Sequence, residues 1–416
     1  MRVAIVGSGV GGLSTAHSLS RLPFVSSIKI IDKGTNNDKM TDNSYTGLWN
    51  PALSILCNYG IDIDSKVCFV NKSGYKGVDG RWLAQPKKGL GKGLFDSPCL
   101  GFLKNSDLLK ALSSSLPPSI DIIKEDLESI DTKNNIITVR TSDGKEYEVD
   151  LVLGCDGKNS SVRNTIHKDN HTLQYRGYEV YRGHSTSLFH FAYKQRISEE
   201  AFQTWGEGIR FATVPTNEGN AWFLACSKVT ANSNSSSKGC HNVISNDKFQ
   251  ELQRLVSNWH QPVLDLLANT DNGYRGVIVC DAYGSSTNSR QSVVLNNNTG
   301  VAFVGDASYT LDPILAQGTG LAIEHSYLLS KALKMTYTTN GLTQALKHYD
   351  EMKAERKLRL HYLSDLSQSI GNIHDKNITS IRDNIMANIY RYFPNLMGSG
   401  FDKIIEYSSS NRHVDF

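Results

Sequence analysis

The chain has 416 residues, enough for two or three domains with a sizeable core, and its 39% hydrophobic and 20% charged content is that of an ordinary soluble globular protein. A net charge of +3 gives no electrostatic case for binding nucleic acid or an acidic membrane. The seven cysteines are scattered, with no CxxC pair and no spaced Cys/His cluster, which argues against a disulfide frame and a metal site.

Arg2–Val6 (RVAIV) is an apolar run that predicts a buried strand. A strand this early predicts no secretory leader, and no apolar run approaches the ~20 residues of a membrane span, so a cytoplasmic location is expected. Gly7, Gly9 and Gly12 follow in G-x-G-x-x-G spacing, with Gly11 between them, and a helical pattern begins at Leu13. Each glycine has a physical task. Gly7 makes the tight turn, Gly9 lets the backbone approach a pyrophosphate, and Gly12 lets the helix pack on the strand. The pyrophosphate then sits at the positive end of the helix. Ser26–Asp32 predicts the second strand; Asp32, twenty residues beyond Gly12 and followed by Lys33, is placed to accept hydrogen bonds from a ribose.

Lys87–Gly93 (KKGLGKG) lacks the phosphate-loop spacing and is expected to be a flexible loop, as is the low-complexity Ala231–Gly239. Asp107–Leu116 predicts a helix stopped by Pro117–Pro118. Ile120–Ile123 and the hairpin pair Ile136–Thr141 and Glu146–Asp150, turned by Asp143-Gly144, predict strands. Leu151–Gly154 predicts a buried strand leading to Asp156-Gly157, with Ser161 and Arg163 just beyond. Taken alone, this second motif reads equally as a ribose or phosphate site and as a strand-end turn with a surface ion pair. From Tyr175 to about Val229 the pattern becomes alternating and aromatic-rich, predicting an antiparallel sheet with one face able to wall a pocket. Phe249–Leu267 predicts an amphipathic helix interrupted near Pro262. Val301–Val304 predicts a third buried strand, feeding Gly305-Asp306. Pro313 to Gly320 then forms a turn into a helix, with Gln317, Gly318, Thr319 and Gly320 leaving the backbone accessible. A helix start here would stabilise negative charge on an electron-poor ring; alone, it would read as a left-handed turn and a helix cap. The rest is predicted largely helical, and Ile381, Ile385, Ile389 and Tyr392, at helical spacing, are expected to pack on the core or on a second subunit, the core being preferred.

Taken together and in this order, the three motifs resemble the single-component FAD-dependent aromatic hydroxylases, the group A flavoprotein monooxygenases. Gly7, Gly9, Gly12 and Asp32 match the ADP-binding fingerprint. Asp156, Gly157, Ser161 and Arg163 match the DG motif; Gly305, Asp306, Pro313, Gln317 and Gly318 match the GD motif and its following loop. Gly47–Ile61 is similar to the family segment with Pro and Asn ahead of a leucine-spaced helix. The Tyr175–Gly183 and Trp205–Pro215 stretches are similar to the salicylate hydroxylase, zeaxanthin epoxidase and urate hydroxylase branch.

The resemblance implies an α/β fold: a Rossmann-like, three-layer FAD-binding domain (1–75, 100–175 and 285–362), an inserted antiparallel-sheet substrate domain (76–99 and 176–284) and a helical C-terminal segment (363–416). It implies bound FAD, NADPH or NADH as co-substrate, and O2, with oxygen delivered through a flavin C4a-hydroperoxide to a small aromatic or conjugated substrate. Asp306 would hold the ribityl chain, Asp156 and Arg163 would serve FAD and NAD(P)H, and Pro313, Ala316, Gln317 and Gly318 would line the reactive ring. Asn105 stands where the family carries a flavin-contacting Arg, Tyr309 where it carries His, and Ala316 where it carries Gly. Tyr181, Arg182, Arg210, Trp222 and Tyr309 are the candidates for substrate contact, against the plainer reading of sheet packing. A related oxidoreductase without oxygen insertion and a flavin-binding protein with lost turnover remain as alternatives. A small-molecule substrate and a monomer or homodimer are expected.

Overall fold

Four of the five residues of Arg2–Val6 are buried, and the strand takes the centre of a sheet. In the computed structural model, which describes residues 1–34, 44–70, 72–85, 100–133, 136–167, 173–186, 200–227, 242–285, 292–296 and 298–393, it pairs in parallel with Ser27–Ile31 and Leu151–Gly154. Asp121–Ile123 and Thr299–Phe303 extend the parallel sheet on either side, and Val293–Asn296 closes one edge antiparallel. One face is covered by helices: Leu13, Ala16 and Leu19 of Val10–Leu19 meet Leu328, Leu329 and Leu333 of the long C-terminal helix. The other carries a three-stranded antiparallel sheet, Leu127–Lys133, Ile136–Thr141 and Glu146–Val149, whose Val139 and Val149 pack on Val152 and Phe303. Burial on both faces is why the parallel strands read as unbroken apolar runs rather than as alternation.

This topology collects the motifs. Gly7, Asp32, Asp156 and Gly305 each follow the carboxyl end of one of four adjacent parallel strands. That edge is where open α/β sheets bind ligands.

A second sheet of eight strands runs in the order Asn242–Val243, Ile278–Gly284, Gln174–Ser185, Gly219–Ser227, Ile209–Thr216, Glu200–Trp205, Lys72–Gly77, Trp82–Ala84. It is antiparallel except at one place: Glu200–Trp205 and Lys72–Gly77 are parallel. The strands between 174 and 227 pair antiparallel, as expected; the parallel neighbour Lys72–Gly77 enters from a distant part of the chain and is free of hairpin geometry. Lys72–Gly77 also runs across the expected domain boundary at 75. Helices Asn246–Leu255 and Gln261–Ala268 cover the back of this sheet with Phe211, Trp222, Leu224, Leu252 and Leu266 in the core. They are two helices, not one interrupted helix, because Pro262 occupies the first turn of the second, where no N–H is required. A small sheet of Tyr45–Trp49, Leu100–Lys104 and Cys68–Phe69 lies between the two large ones, and helix Asn50–Asn58 leaves it toward the flank of the long helix.

The long helix Gly318–Gly371 is broken at Gly341 (φ 77°, ψ 178°) and followed by Lys376–Tyr392. The expected inward stripe of that last helix faces solvent instead: Ile381, Ile385 and Tyr392 are 58%, 53% and 65% exposed. The helix docks through Thr379 and Arg382, whose guanidinium reaches the Ile370 carbonyl, so the buried face is the more polar one. The stretches 87–93 and 231–239 lie outside the described residues. Among the described residues no helix is long and apolar enough to cross a membrane.

Candidate active site

At the fingerprint turn the glycines are held to three different standards. A Cβ on Gly7 (φ 102°) would lie 2.6 Å from the Cys155 carbonyl oxygen, and one on Gly12 would lie 1.8 Å from the Gly7 oxygen. Both are forced by protein backbone. Gly11 has only ordinary contacts, with Ala322 at 3.5 Å, and Gly9 has nothing within 4 Å. Open space at Gly9 faces no protein neighbour, and the helix it starts has no side-chain cap, leaving its first N–H groups available. Asp32 is buried and accepts from the Ser8 N–H at 2.6 Å and the Gly34 N–H at 3.3 Å, while Lys33 is exposed.

The second motif divides its labour. One oxygen of Asp156, Oδ2, caps helix Ser161–His167, accepting from the Ser161 N–H (2.7 Å), the Ser161 hydroxyl (2.8 Å) and the Val162 N–H (3.1 Å). The other, Oδ1, is buried with no hydrogen-bond partner among the described residues. Arg163 is 2% exposed and turned inward: it donates to the Ala307 carbonyl at 3.1 Å and the Lys158 carbonyl at 2.7 Å. In this geometry its guanidinium staples the second motif to the third.

The third motif is held from beneath. Gly305 (φ 60°) donates its N–H to His325 Nδ1 at 3.2 Å. Burial, with Lys353 and Arg356 close by, pushes the His325 pKa down to about 3, so the ring is neutral and able to accept. Lys353, itself paired with Asp350 at 2.8 Å, donates to the Ser308 hydroxyl at 3.1 Å. Tyr309 is 3% exposed, its hydroxyl is hydrogen-bonded to His361, and burial raises its pKa well above the ordinary phenol value. Beyond it, Asp312 caps the turn Pro313–Leu315 by accepting from the Ile314 N–H at 2.9 Å. Ala316 then adopts φ 52°, ψ 37°, the left-handed region that glycine occupies without strain. Gln317 is fully buried, and neither atom of its amide has a partner among the described residues. A Cβ on Gly318 would meet nothing closer than Asp306 Oδ1 at 4.0 Å, and one on Gly320 nothing closer than Gln317 Oε1 at 3.5 Å. Thr319 accepts from the Thr46 hydroxyl at 2.8 Å. Asn105 donates its side-chain N–H to Ser44 Oγ at 2.5 Å.

A cavity of about 340 Å³ joins this turn to the second sheet. Asp306, Pro313, Ala316, Gly318, Thr319, Thr46 and Asn105 line one end; Tyr75, Tyr178, Arg182, Trp205, Arg210 and Phe223 line the other. Arg210 is 4% exposed and lies 4.9 Å over the Tyr178 ring, with Nε and Nη2 lacking hydrogen-bond partners among the described residues. Arg182 lies 5.9 Å over Phe223. Three substrate candidates stand elsewhere. Tyr181 and Trp222 face the back of the sheet, where Tyr181 donates to Glu179 at 2.6 Å and Trp222 to Thr270 at 3.2 Å. Tyr309 packs in the core beneath Leu311 and Leu315 and does not line the cavity. His184 is bonded to Asp271 and Thr216 at the end of its strand. Sequence reasoning passed over Tyr75, Phe102 and Asp312. The alternation of Ser73 and Tyr75 was a usable signal for the first, and the Asp-Pro pair at a turn start was one for the last.

The residues present fit FAD. The uncapped helix start beside the open side of Gly9 offers N–H donors and room for a pyrophosphate, and Asp306 and Gly318 border the cavity where the ring would lie. Gln317 is buried and does not line that cavity.

No family model matches the chain. It is 29% identical over 218 residues to the aurachin C monooxygenase/isomerase of Stigmatella aurantiaca, covering 52% of this chain and 50% of that one. It is 23% identical over 387 residues to the chloroplastic zeaxanthin epoxidase of Nicotiana plumbaginifolia, covering 88% and 54%. The chain thus spans about half the length of these curated relatives. The crystal structure of Klebsiella pneumoniae HpxO complexed with FAD and uric acid superposes with a TM-score of 0.75 at 18% identity, covering 97% of both chains, which shows a common fold. The chain is related to the FAD-dependent group A flavoprotein monooxygenases.

Proposed function

We propose that this relative of the group A monooxygenases binds FAD across its three motifs and uses NAD(P)H and O2 to hydroxylate or epoxidise a small planar substrate. The observation that carries the reading is the cavity, because one space is shared by the third-motif turn and an aromatic sheet face with two arginines. Bound FAD would supply the hydride acceptance and oxygen activation.

The chain's own residues bind, orient and exclude water. Gly9 and the start of Val10–Leu19 would hold the pyrophosphate, and Asp32 would hold the ribose. Asp306 would take hydroxyls of the linking chain, with Asp156 serving the cofactor beside it. Pro313, Ala316 and Gly318 would line the ring, and the long helix starting at Gly318 would offer its positive end to negative charge there. Aromatic walls keep the reacting centre dry. Two arginines, Arg182 and Arg210, stand in the cavity wall, so the substrate class favoured is one with a carboxylate, enolate or phenolate-like oxygen.

The test is stoichiometry. Purified protein with FAD is given NADPH or NADH and a panel of planar aromatic acids and enols. The reading expects substrate-dependent consumption of reduced nicotinamide, with one oxygenated product per nicotinamide. Consumption matched wholly by hydrogen peroxide across the panel would favour a related oxidoreductase that inserts no oxygen.

A further inference from the structure

Between the cavity wall and the third motif sits Asp312, a carboxylate 3% exposed that gathers three donors from two parts of the fold. The Tyr178 hydroxyl reaches Oδ1 at 2.5 Å and Arg176 Nε reaches Oδ2 at 2.9 Å, both from strand Gln174–Ser185. The Ile314 N–H, inside the turn expected against the flavin, reaches Oδ1 at 2.9 Å. Tyr178 is itself cavity wall, and Arg210 stacks on its ring at 4.9 Å. Arg176 continues outward to Asp365 on the long helix. The contacts therefore run without a gap from the buried cation of the substrate cavity, through Tyr178 and Asp312, to the turn Pro313–Leu315.

That turn needs holding. It is three residues long and ends on Ala316, a non-glycine residue in the left-handed region, so its own backbone does not favour the conformation. Charge-assisted hydrogen bonds to a buried carboxylate are short and directional, and suited to fixing it from outside.

We infer that Tyr178 and Asp312 are positioning residues, a latch that fixes the Pro313–Ala316 turn against the substrate sheet so that the flavin ring site and the Arg210 site are set by one another. The inference rests on the FAD reading proposed above. Neither residue needs to touch the reacting atoms.

The experiment titrates apoprotein with FAD, following flavin absorbance and fluorescence, for the parent, Tyr178→Phe, Asp312→Asn, the double variant and Tyr390→Phe. Tyr178→Phe keeps the ring under Arg210 and removes only the hydroxyl, so it stays informative if Asp312→Asn folds poorly. Tyr390, whose hydroxyl donates to Gln85 near the C-terminal helix, is the control. The latch predicts that each single variant weakens FAD binding about tenfold, as expected for loss of one hydrogen bond to a charged group. It also predicts a displaced visible band of the bound flavin, a double variant no weaker than Asp312→Asn, and a Tyr390→Phe protein like the parent. Parent-like affinity and band position in Tyr178→Phe would overturn it. So would losses that add fully while the band stays in place, the signature of general destabilisation. A parent protein that takes up no FAD removes the FAD site itself, a separate and recognisable failure.

Discussion

The strand ends that carry the glycine motifs and the sheet face that walls the cavity are constrained by different things. At the strand ends the limit is backbone: Gly12 has no side chain because the Gly7 oxygen would lie 1.8 Å from it, whatever the ligand. On the sheet face the limit is direction. Tyr181 and Arg182 are neighbours in sequence, yet one is core behind the sheet and the other is cavity wall. A site held by backbone tolerates almost no substitution and is generic in what it binds. A site made by side-chain direction can be rebuilt one residue at a time, and it is where specificity resides.

The first break of that contrast is within the fingerprint itself. Gly12→Ala is expected to cost about 3 kcal/mol of stability or more, through overpacking against backbone that cannot relax. Gly9→Ala, with open space around it, should change stability by less than ~0.5 kcal/mol and instead weaken FAD binding. Thermal unfolding of the apoproteins beside FAD titrations reads both. Equal stability losses would mean that Gly9 serves packing, not a ligand.

On the sheet side, Arg210→Met should weaken binding of an anionic substrate by about 2 kcal/mol, ~30-fold in KM or Kd. Ligand-free stability should change by less than about 1 kcal/mol, because relief of the buried charge's desolvation offsets the lost stacking on Tyr178. Falling stability with unchanged affinity would show Arg210 to be structural.

A pH series sharpens the account of the turn beneath. His325 is held at about 3 against an ordinary 6.5, so between those values the unfolded chain binds a proton that the folded chain does not. Its contribution is complete above pH 6.5 and is lost as pH falls toward 3, at about 1.4 kcal/mol per pH unit. Urea midpoints at pH 7, 6 and 5 should show a shallower acid slope in His325→Asn than in the parent. Equal slopes would contradict a neutral, accepting His325. The smallest effect is at Ala316. Relief of left-handed strain, less the entropy glycine loses, should make Ala316→Gly about 0.5 kcal/mol more stable, measurable as a small rise in melting temperature.

The legible parts of this molecule are those where a requirement is local. The strand–glycine–helix run, Asp32 after its strand and the Gly305-Asp306 turn could all be read directly, because backbone geometry dictates residue type within a few positions. Parity on the substrate sheet could not, since it depends on which face the helices Asn246–Leu255 and Gln261–Ala268 choose to cover. Arg163 reads as a ligand arginine, while its reach to the carbonyls of Lys158 and Ala307, which the fold brings together, was not legible in the sequence. Ile381, Ile385 and Tyr392 have the spacing of a core stripe, yet the helix turns Arg382 inward instead. Spacing identifies a face; only the neighbours decide what it meets.

The most direct test of the central claim is the visible spectrum of the purified protein after FAD reconstitution, followed by anaerobic addition of NADPH and then NADH. The account predicts a bound flavin band near ~450 nm that bleaches with one of the two. A protein that remains colourless after reconstitution would contradict the reading of the strand ends, and with it the site.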